Sequence, residues 1–462
     1  MFRKFRRIHF IGIGGIGMSA LANILLRNGF QITGSDLALT EVTSQLTSLG
    51  ATIHQGHAPK NIGDAEVVVY SSAVPDENPE LEAARSRNIP AIPRAEMLAE
   101  LMRMKFGVAI AGTHGKTTCT SMAGTILIRG GLDPTVIVGG ISPLFGSNAR
   151  IGSSEFLVAE ADEYDRSFLK LTPTIAVITS LELEHLDCYS GLDDLKEAFS
   201  QFANMVPFYG SVILCLDEPE VQDLIPRLHR PILTYGLNPQ SEIRAANIQI
   251  LENRATFEVI AFGKTLGAIE LSVPGEHNVK NSLAAIAIGL ELDVSYEDIA
   301  LGLKDFTGVK RRFEILYRGD DFMVVDDYAH HFTEIKATLA AAKAGYDRRI
   351  VAVFQPHLYS RTRDFHREFG SAFHQAETLI VAPIYPAREE PIEGVSGELI
   401  VKAAKDAGHR DAGYVDDRSQ LLEVIMNKIR PGDIIITMGA GDIWQEGVKL
   451  SNKISSNDEN RT

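Results

Sequence analysis

Apolar residues recur along the chain in two rhythms, short β-branched runs and longer stretches with helical spacing. Residues 8–11 (Ile8-His9-Phe10-Ile11), 31–34 and 67–70 read as strands, and 18–26, 80–86 and 95–102 read as helices, so the first segment is expected to be a small parallel α/β domain ending near Lys105. A second segment opens with the apolar run 106–111 and a helix-spaced stretch, 118–128, and continues with strand runs 156–163 and 174–179 whose carboxyl ends carry polar clusters. Residues 244–273 alternate apolar and polar, with Gly263 as a turn, which predicts hairpins in or beside the sheet. After the Ala-rich helix expected over 282–290, a third α/β unit starts near Val309, with strands at 315–317, 322–325, 350–354, 378–382 and 433–437 between helices. From Ser451 the chain is polar and is expected to fray.

Composition narrows the class. A chain of 462 residues, 45% hydrophobic and 23% charged, is too long for one core and reads as a globular protein of several domains. A net charge of −15 argues against a broad nucleic-acid footprint and against adsorption to anionic lipid, so an anionic substrate must be held by local devices. Cys119, Cys188 and Cys215 lie far apart with no CxxC pair, as free thiols of a reducing compartment do. The basic start and apolar stretch to Leu26 mimic a signal peptide, but glycines and a serine interrupt it, and no other stretch approaches the roughly 20 apolar residues of a membrane span. The expectation is a soluble, cytoplasmic protein without nucleic-acid partner or membrane insertion.

Two glycine turns carry the candidate chemistry. Gly112-Thr113-His114-Gly115-Lys116-Thr117-Thr118 falls on a strand-to-helix junction, where backbone N–H groups and the helix dipole converge on an anion, Lys116 reaches outer phosphates and the Thr117 hydroxyl can bind Mg²⁺. The turn reads as an ATP site, although Ile110 stands where the full phosphate-loop pattern has glycine. Gly12-Ile13-Gly14-Gly15-Ile16-Gly17 repeats the geometry after the first strand, with Asp36 further on for a ribose or a base edge, and indicates a diphosphate without saying which. The Ser71-Ser72-Ala73 turn offers a ligand contact or is only a turn.

Acidic clusters flank the central strands. Glu160-Ala161-Asp162-Glu163-Tyr164-Asp165 and Glu182-Leu183-Glu184-His185-Leu186-Asp187 follow strand ends, and Thr117, a carboxylate and His185 together suit Mg²⁺; without the phosphate turn they would read as solvated loops. His277 and Asn281, four apart on one helical face, suit an adenine edge, while Asn278 equally suits a helix cap.

In sequence order, Gly12 to Met18, Gly112 to Thr118, Glu160-Ala161-Asp162-Glu163, Gly275-Glu276-His277-Asn278, Arg311-Arg312-Phe313-Glu314, Asp326 to His331 and Gln355-Pro356-His357 resemble the motifs of the Mur ligases of peptidoglycan assembly, over nearly the whole chain. The resemblance implies an α/β, three-domain Mur ligase architecture. A Rossmann-like UDP-substrate domain would span 1–105, a P-loop-type central domain binding ATP and Mg²⁺ 106–308, a Rossmann-like C-terminal domain that closes and admits the amino acid 309–450, and a polar tail 451–462. It implies ATP-dependent attachment of L-alanine to the muramoyl carboxylate of UDP-N-acetylmuramate through an acyl phosphate, with Mn²⁺ as an acceptable substitute for Mg²⁺, by a monomer or weak homodimer.

The roles it implies are specific. Gly14, Gly15, Ile16, Gly17, Asp36 and Ser71 would hold the UDP substrate. Gly112, Thr113, His114, Gly115, Lys116, Thr117, Thr118, His277, Asn281, Arg312 and Asp326 would hold ATP. Thr117, Glu160 and His185 would be metal ligands, His185 for a second metal near the acceptor carboxylate. His330, His357 and Arg361 would receive the amino acid, and Lys116, His185, His330 and Arg361 would be catalytic. Three departures stand out: Ser180 where many relatives have Asn, Phe332 where Pro is usual after the His pair, and Leu358 in place of an Arg, which leaves Arg361 and Arg363 as carboxylate partners. The rival readings are a family member that attaches a recycled tripeptide to the same nucleotide sugar, an NAD-dependent oxidoreductase built on the first glycine turn, and a nucleotide-binding regulator without chemistry.

Overall fold

The computed structural model describes residues 5–71, 73–184, 188–387 and 389–459. It contains three sheets, distributed over two compact units: one formed by 1–246, 258–269 and 280–306, the other by 247–257, 270–279 and 307–462.

In the first unit a five-stranded sheet has the spatial order Thr52–Gln55, Gln31–Asp36, Arg7–Ile11, Val67–Tyr70, Ala91–Pro93. All its pairs are parallel, with Ile11 opposite both Ser35 and Tyr70. Because the chain winds outward in both directions from Arg7–Ile11, the topological switch lies at that strand's carboxyl end, where open parallel sheets collect ligands. The first glycine turn follows there and feeds the helix Ile16–Arg27, which buries Met18, Leu21, Ile24 and Leu25 at helical spacing. The apolar stretch from Ile8 to Leu26 that imitates a signal peptide is thus a strand, a turn and a core helix.

The second sheet has ten strands, and Phe106–Ala111 lies inside it between Ile175–Ile178 and Phe156–Glu160, parallel to both. Such a strand is covered on both faces, which explains its unbroken apolar run, Val108 to Ala111 being fully buried. The helix that follows, Lys116–Arg129, is buried from Thr117 to Leu127 although most of those residues are Thr, Ser, Gly or Ala. Small side chains permit close packing against the helix Tyr296–Asp305, where a Cβ on Gly302 would lie 3.0 Å from the Ile126 Cα. The hydroxyls are satisfied locally, Thr125 donating to the Ser121 carbonyl at 2.8 Å. The alternating segment forms the strands Ile243–Leu251, Arg254–Ala261 and Lys264–Leu271 at one edge of this sheet.

The second unit carries a six-stranded sheet in the order Glu314–Arg318, Phe322–Asp327, Asp433–Met438, Arg349–Phe354, Thr378–Val381, Ala412–Tyr414. Among these described strands, the edge strand Glu314–Arg318 alone is antiparallel to its neighbour. Apolar clusters cover both faces, one around Phe354 and Phe369, the other around Val353 and Ile435.

The expected fraying from Ser451 is corrected. A helix runs Trp444–Glu459, and Leu450 and Ile454, one turn apart, are buried in the cluster around Val353. Burying such a side chain contributes about 1.5–3 kcal/mol, enough to hold an otherwise polar segment on the sheet. No described helix is long and apolar enough to cross a membrane, and all three cysteines are free thiols.

Candidate active site

The central glycine turn is shaped by the strand beside it. Gly112 and Gly115 adopt φ 131° and 84°. A Cβ on Gly112 would strike the Thr179 hydroxyl, and one on Gly115 would strike the Asn281 side-chain oxygen, so both positions need glycine for space as well as for backbone conformation. Thr113 N–H donates to the Ser180 carbonyl at 3.0 Å, His114 N–H to the Ser180 hydroxyl at 2.9 Å, and the Thr179 hydroxyl to the His114 carbonyl. Ser180 therefore holds the turn by its short hydroxyl.

Lys116 opens the helix. Its ammonium donates to the Gly112 carbonyl at 2.6 Å, the Thr113 carbonyl at 3.3 Å and both carboxylate oxygens of Glu163 at 2.9 and 2.8 Å. Burial works against the ammonium, but Glu163, then Asp162 and Glu160, overcome it and hold Lys116 above the ordinary lysine value. For Glu163 burial wins, and its carboxyl is pushed up to about 7 against the pull of Lys116. Next to this pair the Thr117 hydroxyl donates to Glu160 at 3.1 Å, and Glu160 also accepts the Gly139 N–H. Thr117 and Glu160 thus offer adjacent hard oxygens beside a phosphate cradle, a set that fits Mg²⁺. His185, the nitrogen donor expected with them, lies outside the described residues. Asn281 touches the turn at Gly115, and His277 lies one helical turn earlier on Glu276–Glu291, its ring beside Gly275. Thr118 is buried in the helix.

The first glycine turn is built differently. Gly12 and Ile13 donate to the Ser35 carbonyl at 2.8 and 3.1 Å, and Gly14 N–H donates to the Asp36 carboxylate at 2.8 Å. Gly15 leads into the helix, Ile16 is exposed, and Ser71 closes the side of the turn, its Cβ 3.5 Å from where a Gly12 Cβ would lie. The expected UDP-substrate residues Gly14, Gly15, Ile16, Gly17, Asp36 and Ser71 are therefore brought together. Beneath them lies a polar network: buried Glu80 accepts from the Ser35 hydroxyl at 2.5 Å, the Asn61 amide at 2.6 Å and Ala58 N–H at 3.1 Å, with the His9 ring at 3.3 Å.

Two residues absent from the sequence reading join these turns. A Cβ on Gly17 would meet the Arg94 guanidinium at 2.9 Å, and Arg94 reaches Asp162 at 3.4 Å, linking the first turn to the acidic cluster of the second. Asn148, in the hairpin that also carries Gly139, donates to the Ile16 carbonyl. Arg94 had a legible signal, a lone cation after a strand end. Asn148 had none.

In the second unit, Asp326 is buried and bonds Arg311 at 3.1 Å and the Thr437 hydroxyl at 2.6 Å, burial raising its carboxyl above the ordinary value. Its cationic partner is thus Arg311, while Arg312 faces Glu334 at 3.5 Å and lies over the Tyr328 ring at 5.2 Å. Asp327, accepting from Phe313 and Ala329 N–H groups, is pushed by burial to about 6. His330 and His357 lie edge to face with centroids 5.9 Å apart, and His357 stacks on Tyr385, which the sequence reading missed. Arg361 is in the first turn of Tyr359–Ala372, the helix that begins just after His357, whereas Arg363 is paired with its neighbour Asp364. Leu358 holds φ 71°, a left-handed conformation unusual for its type, with its N–H bonded to the Tyr385 carbonyl.

Comparison with known proteins adds three findings. Residues 7–106 match the family model described as Mur ligase family, catalytic domain; 110–289 match Mur ligase middle domain; and 311–441 match Mur ligase, glutamate ligase domain. A UDP-N-acetylmuramate–L-alanine ligase of Geotalea daltonii is 53% identical over 454 residues, 98% of this chain and 99% of that protein. Among solved structures, a UDP-N-acetylmuramate-alanine ligase of Thermotoga maritima superposes with TM-score 0.83 at 30% identity, covering 98% of this chain and 99% of that one. A murein peptide ligase of Psychrobacter arcticus superposes with TM-score 0.72 at 25% identity, covering 97% and 98%.

Proposed function

The chain belongs to the Mur ligase family, and from that premise we propose that it joins L-alanine to the muramoyl carboxylate of UDP-N-acetylmuramate, with ATP cleaved to ADP and phosphate, in peptidoglycan synthesis. The observation that carries the reading is the half-buried Lys116 on a phosphate turn, with Thr117 and Glu160 as adjacent oxygen donors, in the same compact unit as a second glycine turn suited to an anion. One turn holds the nucleotide sugar and the other supplies the phosphoryl group.

The roles follow from charge. The first N–H groups of the helix Ile16–Arg27 cradle the UDP diphosphate, at the end of the turn formed by Gly14 and Gly15, with Asp36 holding Gly14 N–H. The muramoyl carboxylate attacks the γ-phosphorus of ATP, the bond to the β,γ-bridging oxygen breaks, and an acyl phosphate forms. Lys116 neutralises charge gathering on the transferred group. Thr117 and Glu160 would hold Mg²⁺, or Mn²⁺, which supplies positive charge to the phosphates when bound. Arg361 and the His330–His357 pair receive the amino acid, a cation for its carboxylate and imidazoles near its amine. The neutral amine attacks the acyl carbon, the bond from that carbon to the phosphate oxygen breaks so that phosphate leaves, and the surplus proton on nitrogen passes to solvent. His277 and Asn281 read the adenine, and Arg312 and Asp326 are the further residues assigned to ATP. We expect the enzyme in the cytoplasm, as a monomer or weak homodimer.

L-alanine is favoured over a tripeptide because similarity to the alanine-adding relative extends over both whole chains at about twice the identity of the peptide ligase structure. Leu358, standing where an Arg is usual, also leaves Arg361 better suited to a single α-carboxylate than to a polyanion. Mass spectrometry of reactions offered L-alanine, glycine, L-serine and the L-Ala-D-Glu-diamino-acid tripeptide together tests this. The alanine adduct should predominate, with glycine and serine adducts minor, since one methylene or hydroxyl is worth only about 1–3 kcal/mol. A predominant tripeptide adduct would reverse the assignment.

A further inference from the structure

Lys116 does not point at open space. Its three ammonium hydrogens are distributed over four protein oxygens, two carbonyls of its own turn and the carboxylate of Glu163, and the Glu163 side chain is only 4% exposed. A lysine so engaged cannot also bind a phosphate; some of these contacts must be exchanged first.

The backbone just beyond Glu163 is distorted. Asp165 and Arg166, neither a glycine, follow with φ 51° and 58°. Consecutive left-handed residues persist only where surroundings over-determine them, and they gather at functional sites. Here the surroundings are explicit. The Glu163 carbonyl accepts from the buried Tyr189 hydroxyl at 2.6 Å and from Arg166 N–H at 3.1 Å. Arg166 is anchored to Asp194 at 2.6 Å and lies over the Tyr189 ring at 4.8 Å, while Asp162 accepts Tyr164 N–H at 3.2 Å. Every one of these contacts fixes the main chain around Glu163 and leaves its carboxylate aimed at Lys116.

We propose that Glu163 is a positioning residue for the phosphate turn: it holds the Lys116 ammonium against the turn's own carbonyls until nucleotide arrives, and so sets nucleotide affinity. Phosphate oxygens replace the Glu163 carboxylate in an exchange of one anionic partner for another. The state with Lys116 clamped is not binding-competent, and apparent affinity is reduced by the fraction of molecules in it. The clamp also keeps the buried Glu163 carboxylate paired with a cation when the site holds no phosphate.

The inference rests on the reading of this turn as the ATP site, and calorimetry with the β,γ-imido analogue of ATP and magnesium separates the two. Wild type should bind the analogue; no binding would overturn both readings. Glu163→Gln should bind it about tenfold more tightly, because a neutral amide competes less well with phosphate for the ammonium. Glu163→Asp, which keeps the charge with a shorter reach, should fall between. In a Lys116→Met background the Glu163→Gln change should have no effect, since there is no ammonium to release. Weaker binding by Glu163→Gln, or the same change with and without Lys116, would overturn the inference while leaving the ATP site standing.

Discussion

Two junctions of the first compact unit, after Ile11 and after Ala111, share a plan: a parallel strand, a glycine turn at its carboxyl end, and a helix whose first N–H groups face outward. They differ in where charge is placed. At the first, a carboxylate, Asp36, accepts Gly14 N–H, and a cation, Arg94, lies outside the turn against Gly17 and is shared with Asp162. At the second, the cation is the first helical residue, bonded to four oxygens, with the Thr117–Glu160 oxygens beside it. Backbone N–H groups and a helix dipole suffice to hold a diphosphate. Moving a phosphoryl group requires positive charge that can follow it. The difference teaches that a glycine turn indicates an anion, and that the side chains around it indicate whether the anion reacts.

If that contrast is right, the two turns fail differently. Lys116→Met should lower turnover by about 10²–10³-fold or more, the usual loss when one preorganised charge contact is removed, with the UDP substrate binding as in wild type by calorimetry. Equal losses in UDP-substrate binding and turnover would dissolve the division of labour. Asp36→Asn should do the reverse, weakening the UDP substrate about tenfold, since hydrogen bonds to charged groups contribute roughly 1.5–3 kcal/mol, with nucleotide affinity unchanged.

A subtler break targets Glu160. A Cβ at Gly139 would lie 2.7 Å from a Glu160 oxygen, so Gly139→Ala should push that carboxylate from Thr117 and raise the magnesium concentration for half-maximal activity by about tenfold, as outer-shell changes do. An unchanged magnesium titration would remove Glu160 from the metal site.

The smallest effect separates the buried carboxylates of the two regions. Burial raises the Glu80 carboxyl, but hydrogen bonds from His9, Ser35 and Asn61 overcome it and hold it at about 2, below the ordinary 4.5, whereas Glu163 is pushed up to about 7. A depressed carboxyl stabilises the fold above its ordinary value and loses that contribution as pH falls from about 4.5 towards 2. Melting temperatures of wild type and Glu80→Gln should therefore differ most near neutrality and converge below about pH 4.5. A gap independent of pH would mean that Glu80 contributes packing alone.

Both glycine turns and the parallel strands leading into them were legible because their signals are local: an apolar run, glycines where a Cβ would collide, and helical spacing afterwards. What was not legible depends on residues far apart or on backbone that the sequence does not advertise. Glu80 meets His9 across 71 positions, and Arg94 meets Asp162 across 68. Asp165 and Arg166 take left-handed conformations usually reserved for glycine, so no residue type announces the turn that delivers Glu163. The helix through Ser451 was hidden by composition, since the apolar contacts of Leu450 and Ile454 are set amid polar neighbours. Asp326 takes its direct cation from Arg311 and not Arg312, a distinction that adjacent arginines cannot reveal before the turn between them is known.

The central claim is that the muramoyl carboxylate accepts the γ-phosphoryl group at the Lys116 turn. Labelling that carboxylate with ¹⁸O, running the reaction with ATP and L-alanine, and analysing the released phosphate by mass spectrometry tests it directly. The account predicts one labelled oxygen in the phosphate, with ADP as the nucleotide product. Unlabelled phosphate, or AMP and pyrophosphate, would contradict it.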